Sequence, residues 1–152
     1  MKPHTHLSID AKLEEELSPP AYRILIVEDN FAAAKMLSRL LAKLGGHTVF
    51  IAYDGTEAIE AACRHRPDLI LLDIGLPTMD GYEVAGHLRR SADTAGVLLT
   101  ALTGYDAADD RRRSLEAGFD EHMVKPPSLA ALRELLAHPK LTSQRSERQG
   151  AS

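Results

Sequence analysis

The stretch LILLD at residues 69–73 is a run of four apolar residues that ends in an aspartate. An apolar run of this kind, without alternating polar residues, is typical of a strand buried on both faces of a parallel sheet. ILIV at residues 24–27 is a second such run, and it is followed by Glu28 and Asp29. These two runs predict interior strands of a sheet that is covered by helices on both sides.

The chain on either side of these runs alternates between short strands and helices. Further strands are predicted at residues 49–52, 97–101 and 121–124 from their short apolar runs. Apolar residues spaced three and four apart predict helices at about residues 36–44, 55–62, 81–90, 106–117 and 128–137. The resulting five βα units predict an α/β fold with a doubly wound, five-stranded parallel sheet.

Length and composition indicate one globular domain with short extensions. The chain has 152 residues, of which 44% are hydrophobic and 26% charged, as is ordinary for a single domain. We expect the domain at residues 22–137. Residues 1–21 form an N-terminal extension, either a short helix or disordered, and residues 138–152 are a polar tail that we expect to be disordered.

Charge and cysteine content narrow the class of protein. The formal net charge is −4, which argues against a broad nucleic-acid surface. Cys63 is the only cysteine, so an intrachain disulfide is excluded and a reducing compartment is indicated. No apolar run has the ~18 residues of a membrane span, and the N-terminus lacks the apolar core of a signal peptide. We therefore expect a cytoplasmic protein without a membrane partner.

Polar residues follow four of the predicted strands. They are Glu28 and Asp29 after the first strand, Asp73 after the third, Thr103 after the fourth and Lys125 after the fifth. Each alone is more often a helix cap, a turn residue or a solvated side chain. Parallel strands present their carboxyl ends at one edge, where ligands bind in such sheets, so the set predicts a site there.

The chemistry of this set points to a metal and a phosphoryl group. Three close carboxylates repel one another unless a cation compensates, and a hard divalent ion such as Mg²⁺ suits oxygen ligands. An aspartate can attack phosphorus to form an aspartyl-phosphate. Mg²⁺, a lysine and a threonine hydroxyl then neutralise or bind the phosphoryl oxygens. These residue types do not by themselves decide which aspartate is the nucleophile.

Five stretches, in order and with matching spacing, resemble the receiver domain of two-component response regulators. They are ILIVEDN (24–30), AYDGTEAI (52–59), DLILLDIGLPTMDGYEV (68–84), ALTGY (101–105) and GFDEHMVKP (118–126). The resemblance covers about residues 22–137. It implies a flavodoxin-like (βα)5 fold with strand order 2-1-3-4-5 and Mg²⁺ as cofactor.

The resemblance also implies a role for individual residues. Asp73 matches the phosphoacceptor, Glu28 and Asp29 match the metal-binding acidic pair, and the backbone carbonyl of Gly75 is expected to complete the metal site. Thr103 and Lys125 match the switch hydroxyl and the conserved lysine of the family, with Gly104 at the phosphoryl-binding turn. The remaining matches lie in loops and turns: Pro77, Gly81 and Pro126, where the family often has a cis peptide bond.

His122 departs from the family pattern. Many receivers carry Tyr or Phe at this position, and that ring moves inward when the threonine moves toward the phosphoryl group. The histidine at position 122, together with the sequence of residues 101–125, resembles the receivers of hybrid histidine kinases. We expect His122 to take part in the switch, or else to stay on the surface in a partner-binding face.

We expect a stand-alone switch rather than an enzyme, because a polar tail of ~15 residues is too short to fold as an output domain. We expect it to accept a phosphoryl group from a histidine kinase or a histidine phosphotransfer protein and then to bind an unidentified protein partner, as a monomer or weak dimer. Only Mg²⁺-dependent self-phosphorylation and autodephosphorylation are expected as activities. The alternatives are a phosphorelay intermediate or a module of a hybrid kinase system. A haloacid-dehalogenase-type phosphatase is remote, because such enzymes need a second Asp where Gly75 stands.

Overall fold

A computed structural model of the chain describes residues 20–104 and 108–144. The strands are β1 (Arg23–Val27), β2 (Thr48–Ala52), β3 (Leu69–Asp73), β4 (Leu98–Thr103) and β5 (Glu121–Val124). The helices are α1 (Phe31–Leu44), α2 (Gly55–His65), α3 (Gly81–Arg90), α4 (Ala108–Ala117) and α5 (Leu129–Leu136). The prediction for the N-terminal extension falls on residues 1–19, which lie outside the described residues.

The five strands form one parallel sheet in the order β2-β1-β3-β4-β5, which confirms the predicted fold class. β1, β3 and β4 are the interior strands, and every residue of β3 and β4 is buried. Alternate strand residues feed two apolar clusters, one on each face of the sheet. The continuous apolar runs of the sequence thus reflect burial on both faces.

Side-chain caps start four of the helices close to the carboxyl edge of the sheet. Asn30, Asp54, Asp80 and Ser128 each accept a hydrogen bond from the backbone N–H three residues later. Such a cap satisfies one of the N–H groups that a helix leaves unpaired in its first turn. The chain therefore turns sharply from strand into helix and leaves the residues between them at the edge.

Several boundaries differ from the sequence prediction, among them the start of α1 at Phe31 and the end of α2 at His65. β4 ends at Thr103 rather than at residue 101, because Leu102 and Thr103 continue the ladder with β5. The polar tail is predicted to be disordered from residue 138, but residues 139–144 are helical. Leu141 is fully buried there, and burial of this single apolar side chain anchors a segment that is otherwise polar.

Asp120 connects this C-terminal helical turn to the sheet. Its carboxylate accepts hydrogen bonds from Arg89 Nη2 (2.7 Å), Lys140 Nζ (3.0 Å) and the backbone N–H of Leu99 (2.9 Å). Burial alone raises the pKa of the Asp120 carboxyl, but these hydrogen bonds outweigh burial and hold the pKa below its ordinary value. The ionised carboxylate therefore stabilises the junction of β4, β5 and the C-terminal turn.

Asp120→Asn is expected to lower the free energy of unfolding by about 2 kcal/mol at pH 7, because it removes a charged acceptor from three donors. The lowered folded-state pKa gives stability that is present above the unfolded-state value of ~3.9 and is lost as pH falls through the folded-state value. Urea denaturation of both proteins between pH 7 and pH 3 checks this.

Asp93→Asn is the matched control for that comparison. Asp93 pairs with Arg66 at 3.3 Å, but the two side chains are 49% and 69% exposed, so we expect little change in stability. Equal losses in the two variants, or a loss at Asp120 that does not shrink toward acidic pH, would contradict the role assigned to Asp120.

Candidate functional site

The carboxyl edge of the sheet brings together the polar residues that the sequence singled out. Glu28 follows β1, Asp73 ends β3, Thr103 ends β4 and Lys125 follows β5. β1 and β3 are neighbours on either side of the point where the strand order reverses, which is where parallel α/β sheets form their ligand sites. The predicted placement of these residues at one edge is therefore seen in the structure.

Lys125 bridges the two most buried carboxylates of the site. Its Nζ lies 2.9 Å from Glu28 Oε1 and 3.1 Å from Asp73 Oδ2. The Glu28 and Asp73 side chains are only 3% and 8% exposed, whereas Lys125 is 31% exposed. One ammonium thus compensates two carboxylates that would otherwise repel each other in a poorly solvated place.

Burial and the neighbouring charges shift the pKa values of Glu28 and Lys125. Burial raises the pKa of the Glu28 carboxyl above its ordinary value, because hydrogen bonds from Lys125 and the Asn30 N–H offset only part of the lost solvation. Burial of Lys125 acts to lower its pKa, but the hydrogen bonds to Glu28 and Asp73 outweigh it and raise the pKa of the ammonium. Lys125 therefore stays charged at neutral pH.

Asp73 is held by a donor on each carboxylate oxygen. Oδ2 accepts from Lys125, and Oδ1 accepts from the backbone N–H of Gly75 at 2.9 Å. These two contacts come from the sheet on one side and from the following loop on the other. The carboxylate is thus oriented before any ligand binds, as a preorganised nucleophile requires.

Gly81 allows the loop after Asp73 to close tightly. A Cβ built on Gly81 would lie 2.5 Å from Ile74 Cα and 2.9 Å from the Asp73 carbonyl oxygen, closer than real side chains approach. The Gly81 N–H also donates to the Ile74 carbonyl at 3.1 Å. A glycine at the start of α3 therefore keeps the loop of residues 74–80 against the end of β3.

Asp29 completes an acidic group with Glu28 and Asp73. Each of the three offers one carboxylate oxygen, and these oxygens lie within 4.8 Å of one another. Two oxygens on opposite sides of Mg²⁺, at ~2.1 Å each, are ~4.2 Å apart, so small side-chain movements would bring all three into a coordination shell. The donor set fits Mg²⁺ because it is made of hard carboxylate oxygens, with exposed Asp29 on the solvent side.

Thr103 and His122 form a second contact at the same edge. Thr103 Oγ1 lies 3.0 Å from His122 Nε2 and donates to the Met123 carbonyl at 3.4 Å. Thr103 is 2% exposed and His122 is half-buried. The hydroxyl is therefore engaged with β5, and a move toward Asp73 would have to give up its contact with His122.

The other predicted residues lie on the loops that surround the site. Gly104 and Pro77 are exposed on loops, and no atom lies within 4 Å of a Cβ built on Gly104. The Lys125-Pro126 peptide bond is cis, as the resemblance implied. At Gly75 the structure shows the N–H binding Asp73, so the role of its carbonyl as a metal ligand stays a prediction.

Sequence reasoning missed the apolar border of the site. Phe31 and Met36 on α1 are 61% and 60% exposed, although the helical spacing groups Met36 with the residues of the core. Phe31, two residues after Asp29 in the sequence, stacks on Tyr53 with ring centroids 6.0 Å apart. Phe31 directly follows the cap of α1 and faces outward, a position that spacing alone does not single out.

Comparison with known proteins agrees with this fold. Residues 24–137 match the family model described as the response regulator receiver domain. The response regulator MprA of Mycobacterium ulcerans (strain Agy99) is 39% identical over 125 residues, which cover 82% of this chain and 51% of MprA. The chain thus spans about half the length of the curated relatives it matches.

Solved receiver structures are similar as well. The receiver domain of sensor histidine kinase PA1611 from Pseudomonas aeruginosa PAO1, with a magnesium ion in its active-site cleft, is 34% identical at a TM-score of 0.70, covering 77% of this chain and 95% of that one. A CheY-like receiver domain protein from Methanospirillum hungatei JF-1 is 30% identical at a TM-score of 0.73, covering 84% and 99%.

The sheet order and the acidic edge define a receiver-type α/β domain, and the family match is specific. The chain belongs to the response regulator receiver domain family of two-component systems. Within residues 20–104 and 108–144, no helix is long and apolar enough to cross a membrane.

Asp29→Asn is expected to weaken Mg²⁺ binding roughly tenfold or more, since loss of even an outer partner of a metal ligand costs ~10–100-fold. Titration of ¹⁵N-labelled protein with MgCl₂, followed through the backbone amides beside Asp73, measures the affinity. Asp93→Asn, which removes one exposed carboxylate elsewhere, is the control. Unchanged affinity in Asp29→Asn would show that Asp29 is not a ligand.

Proposed function

We propose that this protein is a phosphorylation-dependent switch in which Asp73 accepts a phosphoryl group from a phosphohistidine of a histidine kinase or a histidine phosphotransfer protein. The observation that carries the proposal is the Asp73 carboxylate itself. It is buried, oriented by Lys125 and Gly75, and adjacent to Glu28 and Asp29. The family match and the likeness to solved receivers support the same role.

The transfer exchanges one bond to phosphorus for another. A carboxylate oxygen of Asp73 forms the new O–P bond as the N–P bond of the donor phosphohistidine breaks, and the imidazole nitrogen keeps the electron pair. Asp73 needs no general base, because it attacks as a carboxylate. Lys125, already beside Asp73, can pair with a phosphoryl oxygen when the group arrives.

Glu28, Asp29 and Asp73 would hold Mg²⁺, with the Gly75 carbonyl as a further ligand. The bound ion supplies positive charge that neutralises the phosphoryl oxygens during transfer. Lys125 then provides the remaining positive charge, since its raised pKa keeps the ammonium protonated. We also propose that the protein is cytoplasmic. Its proposed activities are self-phosphorylation and autodephosphorylation, with no reaction on other substrates.

Asp73→Asn should take up no phosphate from phosphoramidate in the presence of Mg²⁺, whereas the unmodified protein should gain one hydroxylamine-sensitive phosphate. The amide is nearly the same size but lacks a nucleophilic carboxylate oxygen. Intact-mass spectrometry measures the uptake, and Asp93→Asn serves as the control. A phosphate on Asp73→Asn would assign the acceptor role to another residue.

Phosphorylation would signal through Thr103. A phosphoryl dianion beside Asp73 offers Thr103 Oγ1 a charged acceptor, which forms a stronger hydrogen bond than the Met123 carbonyl that it now contacts on β5. Its move inward breaks the contact with His122 and leaves that ring to repack. The outcome is a shift between two packings at the surface of α4, β5 and α5 rather than a new fold.

Thr103→Ala should still incorporate phosphate at Asp73 but lose most of the change at β5, because the hydroxyl links the two. Backbone NMR shifts of residues 121–124, with and without beryllofluoride and Mg²⁺, measure that change. Ser at position 103 keeps the hydroxyl and is the rescue variant. Equal shifts of residues 121–124 in Thr103→Ala and in the unmodified protein would contradict this role of Thr103.

A phosphorelay intermediate is the second candidate. The 34% identity to a receiver of a sensor histidine kinase favours it, as does histidine at position 122. Incubation of the phosphorylated protein with candidate histidine phosphotransfer proteins separates the two functions. Rapid transfer of the phosphate from Asp73 to a histidine supports a relay, whereas hydrolysis without transfer supports a terminal switch.

A further inference from the structure

The two edge strands of the sheet differ in how they are protected. β5 begins with Glu121, which lies 3.2 Å from His138 Nε2, and Pro126 and Pro127 follow the strand. Charged residues and prolines keep an edge strand from pairing with another chain. β2, with the sequence TVFIA at residues 48–52, contains neither a charged residue nor a proline. Its outer edge is therefore the less protected of the two.

The hydrogen bonds to β1 show which backbone groups of β2 point away from the sheet. The Thr48 N–H donates to the Tyr22 carbonyl at 2.9 Å, which starts the parallel ladder with β1. Every second residue after Thr48 then directs its N–H and C=O groups toward β1. The backbone groups of Val49 and Ile51 point outward, and within residues 20–104 and 108–144 they have no hydrogen-bond partner.

Apolar side chains border the same edge. Val49, Phe50 and Ile51 are half-buried, because each packs on one of the two apolar clusters and still exposes part of its surface. The largely exposed ring of Phe31 stacks on Tyr53, the residue directly after β2. Apolar surface beside unpaired backbone groups is typical of an edge that pairs with another chain.

The strand is complementary to a second copy of itself in the antiparallel direction. With Phe50 opposite Phe50 of the second copy, Val49 lies opposite Ile51, and each such pair exchanges its outward N–H and C=O groups. The side chains then pair aromatic with aromatic and β-branched with β-branched, combinations that stabilise sheets. No like charges meet along the strand, since residues 48–53 are uncharged.

We propose that two copies of this chain associate through antiparallel pairing of their β2 strands, about a two-fold axis at Phe50, so that two five-stranded sheets become continuous. The second copy would also cover part of the Phe31 and Tyr53 rings, which border the edge. Antiparallel pairing turns the two carboxyl edges, and with them the two acidic sites, in opposite directions. The contact is independent of whether Asp73 is the phosphoacceptor.

The proposed interface is small. Stable interfaces bury ~1,600 Å² in total, and a contact made by one strand and its flanks lies at the low end of the range for specific complexes. We therefore expect weak association that depends on protein concentration. The surface of α4, β5 and α5 stays free in both copies, because β5 lies at the other end of the sheet.

Amide hydrogen exchange of the unmodified protein, measured by NMR at several protein concentrations, tests the contact. Between the ends of a roughly hundredfold range, we expect exchange of the Val49 and Ile51 amides to slow by about tenfold, because only the dimer pairs them. The Phe50 amide, which faces β1, should exchange at the same rate throughout. This alternation along β2 distinguishes edge pairing from association through another surface.

A disulfide at the two-fold axis tests the register. The exposed Cys63 is replaced in Cys63→Ser, and Phe50→Cys then places two thiols opposite each other. Their Cα atoms would be ~4.5 Å apart, within the range that a disulfide spans. Thr48→Cys lies on the same face of β2 but would be ~14 Å from its copy, so it is the matched control that should not cross-link.

Val49→Pro removes an outward N–H that the ladder with β1 does not use, so it should abolish the concentration dependence at Ile51. Val49→Ala keeps the N–H and is its control. Exchange of Val49 and Ile51 that does not depend on concentration would overturn the proposal, as would association that leaves both amides unprotected. Equal cross-linking of Phe50→Cys and Thr48→Cys would overturn the register and with it the proposed interface.

Discussion

The Lys125 ammonium lies within 3.1 Å of two buried carboxylates, Glu28 and Asp73, that arrive from different strands. Glu28 cannot be placed so deeply without a cation, because burial and repulsion by Asp73 both disfavour its charge and raise its pKa. β1 and β3 pair directly, while Lys125 reaches them from beyond β5 across the end of β4. The parallel order of the sheet is thus what allows one lysine to compensate both.

The same contact depends on how firmly β5 is held at the sheet edge. β5 has four residues and, among the described residues, pairs only with β4, so its position needs support beyond the ladder. Asp120, just before the strand, provides this support. Its carboxylate accepts hydrogen bonds from the Leu99 N–H, Arg89 and Lys140, and its own N–H donates to the Leu99 carbonyl. This anchor helps to position two residues that follow Asp120 in the chain. Lys125 contacts Asp73 at the site, and His122 contacts Thr103.

The sequence was sufficient to predict the fold and the placement of four polar residues at one edge of the sheet, because both are encoded locally. Doubly buried strands read as continuous apolar runs, and Glu28, Asp73, Thr103 and Lys125 stand where those strands end. Contacts between segments that are distant in the sequence could not be predicted from these local patterns. The Asp120 network, the buried Leu141 and the exposure of Met36 depend on which surfaces meet after folding, and neither composition nor periodicity reports this.

Borohydride reduction of the phosphorylated protein tests the role of Asp73 most directly, since it converts an acyl-phosphorylated aspartate into homoserine. The protein is treated with phosphoramidate and Mg²⁺, reduced, digested and sequenced by tandem mass spectrometry. We expect homoserine at position 73, with Glu28 and Asp29 unchanged and no product when Mg²⁺ is chelated. Reduction at residue 28 or 29, or no reduced residue in the presence of Mg²⁺, would contradict the assignment of Asp73 as the phosphoacceptor.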